Sequence, residues 1–259
     1  MRKPLLTVSR LAKRFRRRDE TITAVDDISF HIEPCETLAL AGPSGSGKST
    51  VARLLLRLIE PDAGAISFDG EDFLALKGSA LRVRRRKLQM VFQDPLAAFN
   101  PRATVGRVLD DPLRIHGIAS RAERPRRIGT LLERVGLSPD LHSRAIHEIS
   151  GGQRQRVAIA RAIATAPSLI VLDEALSALD VSVRGKIIEL LLDLQREEKI
   201  AYLFISHDLG VVRSIAHRVA ILDGGRIAEQ GDARQVIDAP QSAIGKALVA
   251  AVPALPRIA

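Results

Sequence analysis

The sequence predicts an α/β fold with a mostly parallel core sheet, a small antiparallel β layer and a helical insertion. Compact apolar runs typical of buried parallel strands occur at residues 37–41, 88–92, 168–172 and 201–205. The alternating residues 22–32, and residues 65–68 before the turn formers Asp69 and Gly70, predict the antiparallel layer. Residues 94–149 lack such strands and are rich in Arg, so we predict that they form the helical insertion.

The remaining elements are predicted from local signals. A helix is expected at residues 51–59, directly after a glycine-rich stretch, and good helix formers at 154–164 predict another. Residues 128–135 have helical character within the insertion. A hairpin is expected at 219–229, where Gly224 and Gly225 separate two strand-like runs.

Composition and charge limit the classes of function. The 259 residues are 46% hydrophobic, which is enough for a sizeable core. The 39 Lys and Arg residues exceed the 30 Asp and Glu residues and give a net charge of +9, which favours a polyanionic or phosphate-rich partner. Aromatic residues make up only 3% of the chain, which disfavours a base-stacking platform for single-stranded nucleic acid.

Cysteine usage and hydropathy bear on the compartment. The single Cys35 excludes an intrachain disulfide, and no early apolar stretch follows the basic residues Arg2 and Lys3. Aliphatic runs such as residues 169–172 are far too short to span a bilayer. We therefore expect a reducing, cytosolic setting, with any membrane contacted at its surface or through a partner.

Residues 42–50 contain the clearest chemical motif, GxxxxGK(S/T), between a predicted strand and a predicted helix. Glycines in such a loop let backbone N–H groups converge on a phosphate. The lysine then reaches the β- and γ-phosphates, and the serine hydroxyl binds Mg²⁺. An ordinary glycine turn needs neither a strand before it nor a helix after it, so this context favours the phosphate-binding interpretation. The predicted phosphate-binding residues are Gly42, Pro43, Ser44, Gly45, Ser46, Gly47, Lys48, Ser49 and Thr50.

Two acidic residues, Asp173 and Glu174, follow the apolar run 169–172. A carboxylate at the end of a strand suits Mg²⁺ coordination, and the next one is placed to polarise a water for attack on a γ-phosphate. Adjacent acids after a strand are also common loop residues. The phosphate-binding loop in the same chain favours the catalytic interpretation.

A second candidate anion site begins at Ser150. This residue is a natural N-cap for the helix predicted at 154–164, and Gly151 and Gly152 allow another backbone or a phosphate to approach closely. The exposed N–H groups of a helix start attract anions. A plain capped helix would explain the same residues, so their surroundings decide between the two interpretations.

These motifs together resemble the ATP-binding subunit of an ABC transporter, over nearly the whole chain. They occur in the order typical of that family: the phosphate loop, Gln93, residues 150–153, Asp173 with Glu174, residues 177–180, and His207. The resemblance implies a P-loop ATPase fold, hydrolysis of ATP coupled to solute transport, and ATP and Mg²⁺ as cofactors. It also implies a core of residues 1–93 and 166–235, a helical subdomain at 94–165 and a short C-terminal tail at 236–259.

The resemblance implies a role for each matching residue. Mg²⁺ is expected at Ser49, Gln93 and Asp173, and Gln93 also senses the γ-phosphate and couples to the membrane partner. Glu174 is expected to be the general base. His207 is expected to hold the γ-phosphate and the attacking water, and its position after a strand favours this role over a structural one.

Other residues are expected to act between two subunits or on the base. The signature residues are expected to contact the ATP of a second subunit, and they are Ser150, Gly151, Gly152 and Gln153. Asp180 is expected at the dimer seam. Phe15, beside a loop predicted at residues 16–21, is the candidate for stacking on adenine, although a Phe beside a strand more often belongs to the core. His142 and His147, spaced five apart, are interpreted as surface or packing residues.

Within the family, several segments resemble peptide and nickel importers, in which two different ATPases usually serve one transporter. The chain departs from that group in three places, and two of them, the short end and the change after Glu174, favour nickel, with di- or oligopeptides as the alternative. The end of the chain, 253–259, has no cysteine-containing tail. Ala175 and Leu176 replace a usual Pro-Thr pair, and residues 241–245 replace a His-Pro-Tyr-Thr-like segment.

The implied partners are integral membrane permease subunits, a second and related ATPase and, indirectly, a solute-binding protein, at the cytoplasmic face of the bacterial inner membrane. No nucleic-acid partner is expected.

Two other functions remain as alternatives. A DNA-associated ATPase of the same superfamily would fit the positive charge, but such proteins carry long coiled coils or zinc modules, and this chain has no sustained heptads and no second cysteine. A P-loop kinase would make residues 150–153 coincidental.

Overall fold

The computed structural model describes residues 3–17 and 20–251. Two 3₁₀ turns, Leu96–Ala98 and Pro139–Ser143, lie in the predicted helical insertion. The strands and helices, in chain order, are β1 (Leu6–Arg17), β2 (Glu20–Ile32), β3 (Thr37–Ala41), α1 (Lys48–Leu55), β4 (Ala63–Phe68), β5 (Glu71–Asp72), α2 (Gly78–Lys87), β6 (Leu88–Val91), α3 (Val105–Ile115), α4 (Arg124–Arg134), α5 (Gly151–Ile163), β7 (Leu169–Asp173), α6 (Val181–Glu198), β8 (Ala201–Ser206), α7 (Leu209–Ile215), β9 (Arg218–Asp223), β10 (Arg226–Asp232), α8 (Ala233–Asp238) and α9 (Ala243–Ala250).

The chain divides into two compact units. The first is formed by Met1–Leu81 and Ala201–Ala259, and the second by Arg82–Ile200. The predicted helical subdomain, 94–165, falls within the second unit, which also contains β6 and β7.

The antiparallel layer of the first unit has the strand order β2-β1-β4-β5. Its strand β1 pairs with β2 and β4, with Leu6 opposite both Ile32 and Phe68. The sequence analysis did not identify β1. The pairing of β1 shifts register several times, and Arg10 adopts a positive φ of 48°, so its residues do not follow a simple alternation.

The second sheet of the first unit places β10, β9, β3 and β8 side by side. Strand β3 is parallel to both β8 and β9, and every residue of β3 and β8 is buried. Burial on both faces explains why these strands are continuous apolar runs. The predicted hairpin is confirmed, since Gly224 and Gly225 connect β9 to β10 with φ values of 51° and 82°.

Helix α1 ends earlier than the sequence predicted, at Leu55 rather than near residue 59. Arg57 adopts a left-handed backbone with a φ of 51°, which stops the helix. The Arg57 guanidinium donates to the carbonyl oxygens of Phe73 at 3.0 Å and Leu76 at 2.6 Å. These bonds fix the chain after the helix.

In the second unit, β6 and β7 pair in parallel, and helices α3, α4 and α5 pack beside one another. Basic residues 82–87, interpreted from sequence as a solvated face, form the end of α2 and make specific bonds. Arg82 donates to the Ile115 carbonyl at 2.8 Å, and Lys87 donates to the Ala166 carbonyl at 3.0 Å.

The segment predicted as a C-terminal tail contains α9. Ser242 caps this helix by accepting from the N–H of Gly245 at 3.0 Å. The carboxylate of Glu229 accepts from the N–H groups of Gln241 and Ser242, both at 2.9 Å. In the stretches 3–17 and 20–251, no helix combines the length and the apolar character needed to cross a membrane.

Candidate functional site

The predicted phosphate-binding loop connects β3 to α1 and depends on glycine at two positions. Gly42 has a φ of 152°, and a Cβ there would lie 2.2 Å from the carbonyl oxygen of Leu222. Gly47 has a φ of 106°, and a Cβ there would lie 2.2 Å from the carbonyl oxygen of Ala24. In both cases the Cβ would clash with a backbone atom, which cannot move aside, so only glycine fits at these two positions.

The loop also holds buried polar groups. The Lys48 side chain is buried, and its Nζ donates to the carbonyl oxygens of Gly42 and Pro43, both at 2.8 Å. The hydroxyl of Ser46 is buried and has no hydrogen-bond partner among the residues described. An unsatisfied buried hydroxyl and a buried ammonium are groups that a bound anion would satisfy. The loop therefore fits the phosphates of a nucleotide.

The other loop residues lie around these groups. Ser44 and Gly45 form the exposed tip of the loop, where a Cβ on Gly45 would meet no atom within 4 Å. Ser49 and Thr50 occupy the first turn of α1 and are partly exposed. Gly47 is the N-cap residue of that helix and has no side chain that could cap it. The first N–H groups of α1 therefore face the loop region.

His207 lies at the same edge of the first unit's sheet as the phosphate loop. Ala41 pairs with Ser206 at the ends of the parallel strands β3 and β8. Gly42 and His207 are the residues that directly follow this last pair. His207 is exposed. Asp208 caps α7 by accepting from the N–H of Gly210 at 2.9 Å, which fixes the chain directly after His207.

Phe15 does not belong to the core. It lies on β1 opposite Ile22, and the two side chains are 39% and 43% exposed. The Nζ of Lys13 lies 5.7 Å from the centroid of the Phe15 ring. An exposed ring of this kind can stack on a planar ligand. Of the loop predicted at residues 16–21, residues 16–17 belong to β1 and residues 20–21 to β2, while Arg18 and Asp19 lie outside the described residues.

In the second unit, Gln93 and the acidic pair lie at the carboxyl ends of the paired strands β6 and β7. Val91 pairs with Leu172, so the residues that follow each strand are neighbours. The Asp173 side chain is buried at the end of β7. The next residue, Glu174, has a positive φ of 46°, a conformation that is uncommon for a residue with a side chain.

A hydroxyl connects these residues. The Nε2 atom of Gln93 donates to the Ser177 Oγ at 3.4 Å, and that hydroxyl donates to the carbonyl oxygen of Glu174 at 2.9 Å. The structure thus brings Gln93 and the Glu174 backbone together through Ser177. Residues 177–180 were predicted from sequence to be a motif, but no role was predicted for Ser177.

The predicted N-cap at Ser150 is confirmed. Its Oγ accepts from the N–H of Gln153 at 3.2 Å, and the Gln153 side chain accepts from the Ser150 N–H at 2.9 Å. This reciprocal capping box fixes the start of α5. Asp180 is the exposed N-cap residue of α6, and its carboxylate makes no cap hydrogen bond with any part of the chain that the structure describes.

His142 and His147 are both exposed, in agreement with their interpretation as surface or packing residues. A Cβ on Gly106 would lie 2.3 Å from Nε2 of His142. The Nδ1 atom of His147 lies 3.4 Å from the carbonyl oxygen of Pro101. Across residues 3–17 and 20–251, no group of three or more His, Cys, Asp and Glu side chains could hold a metal ion.

Comparison with known proteins identifies the family. The model of the family described as "ABC transporter" matches residues 25–177, which is more than half of the chain and includes the phosphate loop, the signature and the acidic pair. The chain belongs to the ABC transporter family. It is therefore an ATP-binding cassette, as the resemblance of its motifs predicted.

Curated relatives of this ABC cassette include glutathione import ATP-binding proteins named GsiA. The protein from Salmonella paratyphi A is 52% identical over 257 residues, which cover 96% of this chain and 41% of the relative. The protein from Escherichia coli strain K12 is 50% identical over the same shares of both chains. The chain thus spans about two fifths of the length of the curated relatives it matches.

Solved structures agree with the ABC fold. The ATP-binding cassette MJ0796, in a dimeric post-hydrolysis state bound to ADP and Pi, is 29% identical with a TM-score of 0.79, over 88% of this chain and 99% of that one. The protein cbiO1 of Clostridium perfringens, part of the transporter complex cbiONQ, is 27% identical with a TM-score of 0.80, over 92% of both chains. The predicted P-loop ATPase fold is confirmed.

Two of the three departures from the peptide and nickel importers lie in the described part of this ABC cassette. Ala175 and Leu176 are buried. The segment 241–245 begins α9, and the N–H groups of Gln241 and Ser242 donate to the Glu229 carboxylate. Residues 253–259, the third departure, lie outside the described residues.

Proposed function

We propose that this chain is the ATP-hydrolysing part of an importer for small peptides, a class that includes glutathione. The observation that carries the proposal is its 52% identity, over almost its whole length, with an import ATP-binding protein whose named solute is the tripeptide glutathione. The phosphate loop, with its buried Lys48 and unsatisfied Ser46 hydroxyl, supports the ATPase activity.

In this proposal each residue of the first unit keeps the role that the family resemblance implies. Lys48 and the N–H groups of the loop bind the β- and γ-phosphates, and Ser49 is a ligand of Mg²⁺. His207 holds the γ-phosphate and the attacking water. The exposed ring of Phe15 stacks on adenine.

Residues of the second unit complete the proposed chemistry. Gln93 and Asp173 supply oxygen ligands to Mg²⁺, the ligand type that this cation prefers. When bound, Mg²⁺ neutralises negative charge on the β- and γ-phosphates. Glu174 accepts a proton from the attacking water as general base.

We further propose that two cassettes act together. Ser150, Gly151, Gly152 and Gln153 of one cassette would contact ATP on the other, and Asp180 would lie at the seam between them. The dimeric state of MJ0796, named in its structure, supports this arrangement. The second cassette is a related ATPase, and permease subunits in the inner membrane receive the motion at its cytoplasmic face. A solute-binding protein delivers the peptide to the permease.

Co-purification with the permease partners, followed by measurement of phosphate release with different solutes, tests this function. In the presence of the binding protein, glutathione or dipeptides should stimulate ATP hydrolysis severalfold, and Ni²⁺ should not. Stimulation by Ni²⁺ alone would overturn the peptide proposal in favour of nickel import. A phosphorylated small acceptor would indicate a kinase, and salt-sensitive stimulation by DNA would indicate a DNA-associated ATPase.

A further inference from the structure

The loop between Glu174 and Asp180 has to hold a strained backbone in place. The φ of Glu174 is 46°, and a residue in this region needs support from its surroundings. The next residue, Ala175, places no ring restraint on the backbone. Other contacts must therefore define the position of Glu174.

Arg184, in the first turns of α6, makes such contacts. Its Nε donates to the carbonyl oxygen of Leu179 at 2.7 Å, and its Nη2 donates to the carbonyl oxygen of Ser177 at 3.1 Å. Arg184 is partly buried. A guanidinium has a rigid fork of donors, so two bonds to one loop fix both the distance and the orientation of that loop.

Ser177 transmits this restraint to Glu174. Its N–H and its hydroxyl both donate to the Glu174 carbonyl oxygen, at 3.1 Å and 2.9 Å. The same hydroxyl accepts the bond from Gln93. A continuous set of hydrogen bonds thus runs from Arg184 through Ser177 to the backbone of Glu174.

We propose that Arg184 is a positioning residue for Glu174, holding through Ser177 the strained backbone that aims the Glu174 carboxylate. This inference rests on the proposed function, in which Glu174 is the general base. Arg184 itself touches no reacting atom. Its loss should therefore slow the chemical step and leave the binding of ATP unchanged, because displacement of a catalytic group by about 1 Å can cost on the order of 10²-fold in rate.

The test is a set of variants of the full chain, assayed for phosphate release over a range of ATP concentrations. Arg184→Ala should lower kcat by about tenfold or more and leave KM and nucleotide affinity within about twofold of the wild type. Arg184→Lys should recover part of kcat, since an ammonium can make one of the two bonds but lacks the planar fork.

Arg57→Ala is the matched control. Arg57 also donates to two backbone carbonyl oxygens, those of Phe73 and Leu76, but it belongs to the first unit, whereas Glu174 belongs to the second. Its removal should lower the thermal midpoint as Arg184→Ala does, with kcat per folded molecule unchanged. If Arg184→Ala fails to fold, Arg184→Lys tests the guanidinium, and Ser177→Ala tests the last link of the set. Ser177→Ala removes the hydroxyl that bonds to the Glu174 carbonyl oxygen, with little change in volume, and keeps the bond from the Ser177 N–H.

The outcomes separate the two proposals. A kcat for both Arg184→Ala and Ser177→Ala within twofold of the wild type would overturn the positioning role, and so would a loss that appears only as a raised KM. A wild-type chain that neither binds nor hydrolyses ATP, alone or with its partners, would overturn the proposed function instead. A tenfold loss in kcat with unchanged nucleotide affinity, partly restored by lysine, would support the inference.

Discussion

A Cβ atom on Gly152 would lie 2.9 Å from Cγ1 of Val183, so the start of α5 and the start of α6 meet where no side chain fits. Both helices belong to the second unit. The glycine of the predicted signature is thus required by packing inside one chain, before any contact with a second cassette. The signature glycine therefore lies against the first turn of α6, which begins directly after Asp180.

Gly152→Ala should destabilise the protein by about 1–3 kcal/mol, the usual cost of forcing an extra methyl group into a packed contact. Adding Val183→Ala should restore much of this loss because it removes the methyl group that clashes. Thermal unfolding of the two single variants and the double variant measures the coupling. Strictly additive effects of the two substitutions would contradict the contact.

Gly42→Ala should abolish ATP binding, because its Cβ would meet the carbonyl oxygen of Leu222 and the loop would have to move. Gly45→Ala is the control, since it lies at the open tip of the same loop and incurs only the cost of a positive φ, about 1 kcal/mol. Titration with a fluorescent ATP analogue compares the two. Equal affinities would show that the loop does not bind phosphate in the conformation described.

Lys48→Ala should remove nucleotide binding or hydrolysis while leaving the fold intact. The Lys48 side chain lies inside the loop and bonds to two of its carbonyl oxygens, and its ammonium is the charge expected to meet the phosphates. Nucleotide affinity and phosphate release are measured on the same sample as circular dichroism. Normal ATPase activity in this variant would exclude the phosphate-loop assignment.

Glu229→Gln should lower stability near neutral pH. Burial acts to raise the pKa of Glu229, but hydrogen bonds from Ser242 and Gln241 outweigh it and place the pKa below its ordinary value of 4.5. A lowered pKa means that the carboxylate stabilises the fold fully above pH 4.5, and that this contribution is lost as the pH falls through the lower, folded-state value.

Thermal unfolding across pH checks this dependence on Glu229. The difference in midpoint between wild type and Glu229→Gln should be largest near pH 7 and should shrink in acid. Glu133→Gln serves as the control because its exposed carboxylate has no hydrogen-bond partner within the described part of the chain. A constant difference from neutral pH to acid would contradict the account.

The core strands and the phosphate loop were predictable because one physical signal dominates each. Strands β3 and β8 are buried along their whole length, so their sequences are mostly apolar. The positions that only glycine can occupy, Gly42 and Gly47, are visible in the sequence as glycines. The N-cap at Ser150 likewise depends on residues within one helical turn.

Other features could not be predicted because they depend on contacts distant in sequence or on unusual backbone. Strand β1 contains a positive φ at Arg10 and several register shifts, which disguise its pattern. The early end of α1 depends on Arg57 and its bonds to residues beyond the next strand. Arg184 is one of many Arg residues, and only the folded loop shows which carbonyl oxygens it binds.

The most direct test of the central claim is phosphate release by the full chain and by Glu174→Gln, measured beside nucleotide binding with the partners present. The account predicts that the wild type hydrolyses ATP, whereas Glu174→Gln retains ATP in a trapped dimer and loses turnover by roughly 10²-fold or more, as expected when a general base is removed. Near-normal turnover in Glu174→Gln would contradict the assignment of Glu174, and with it the proposed catalytic site.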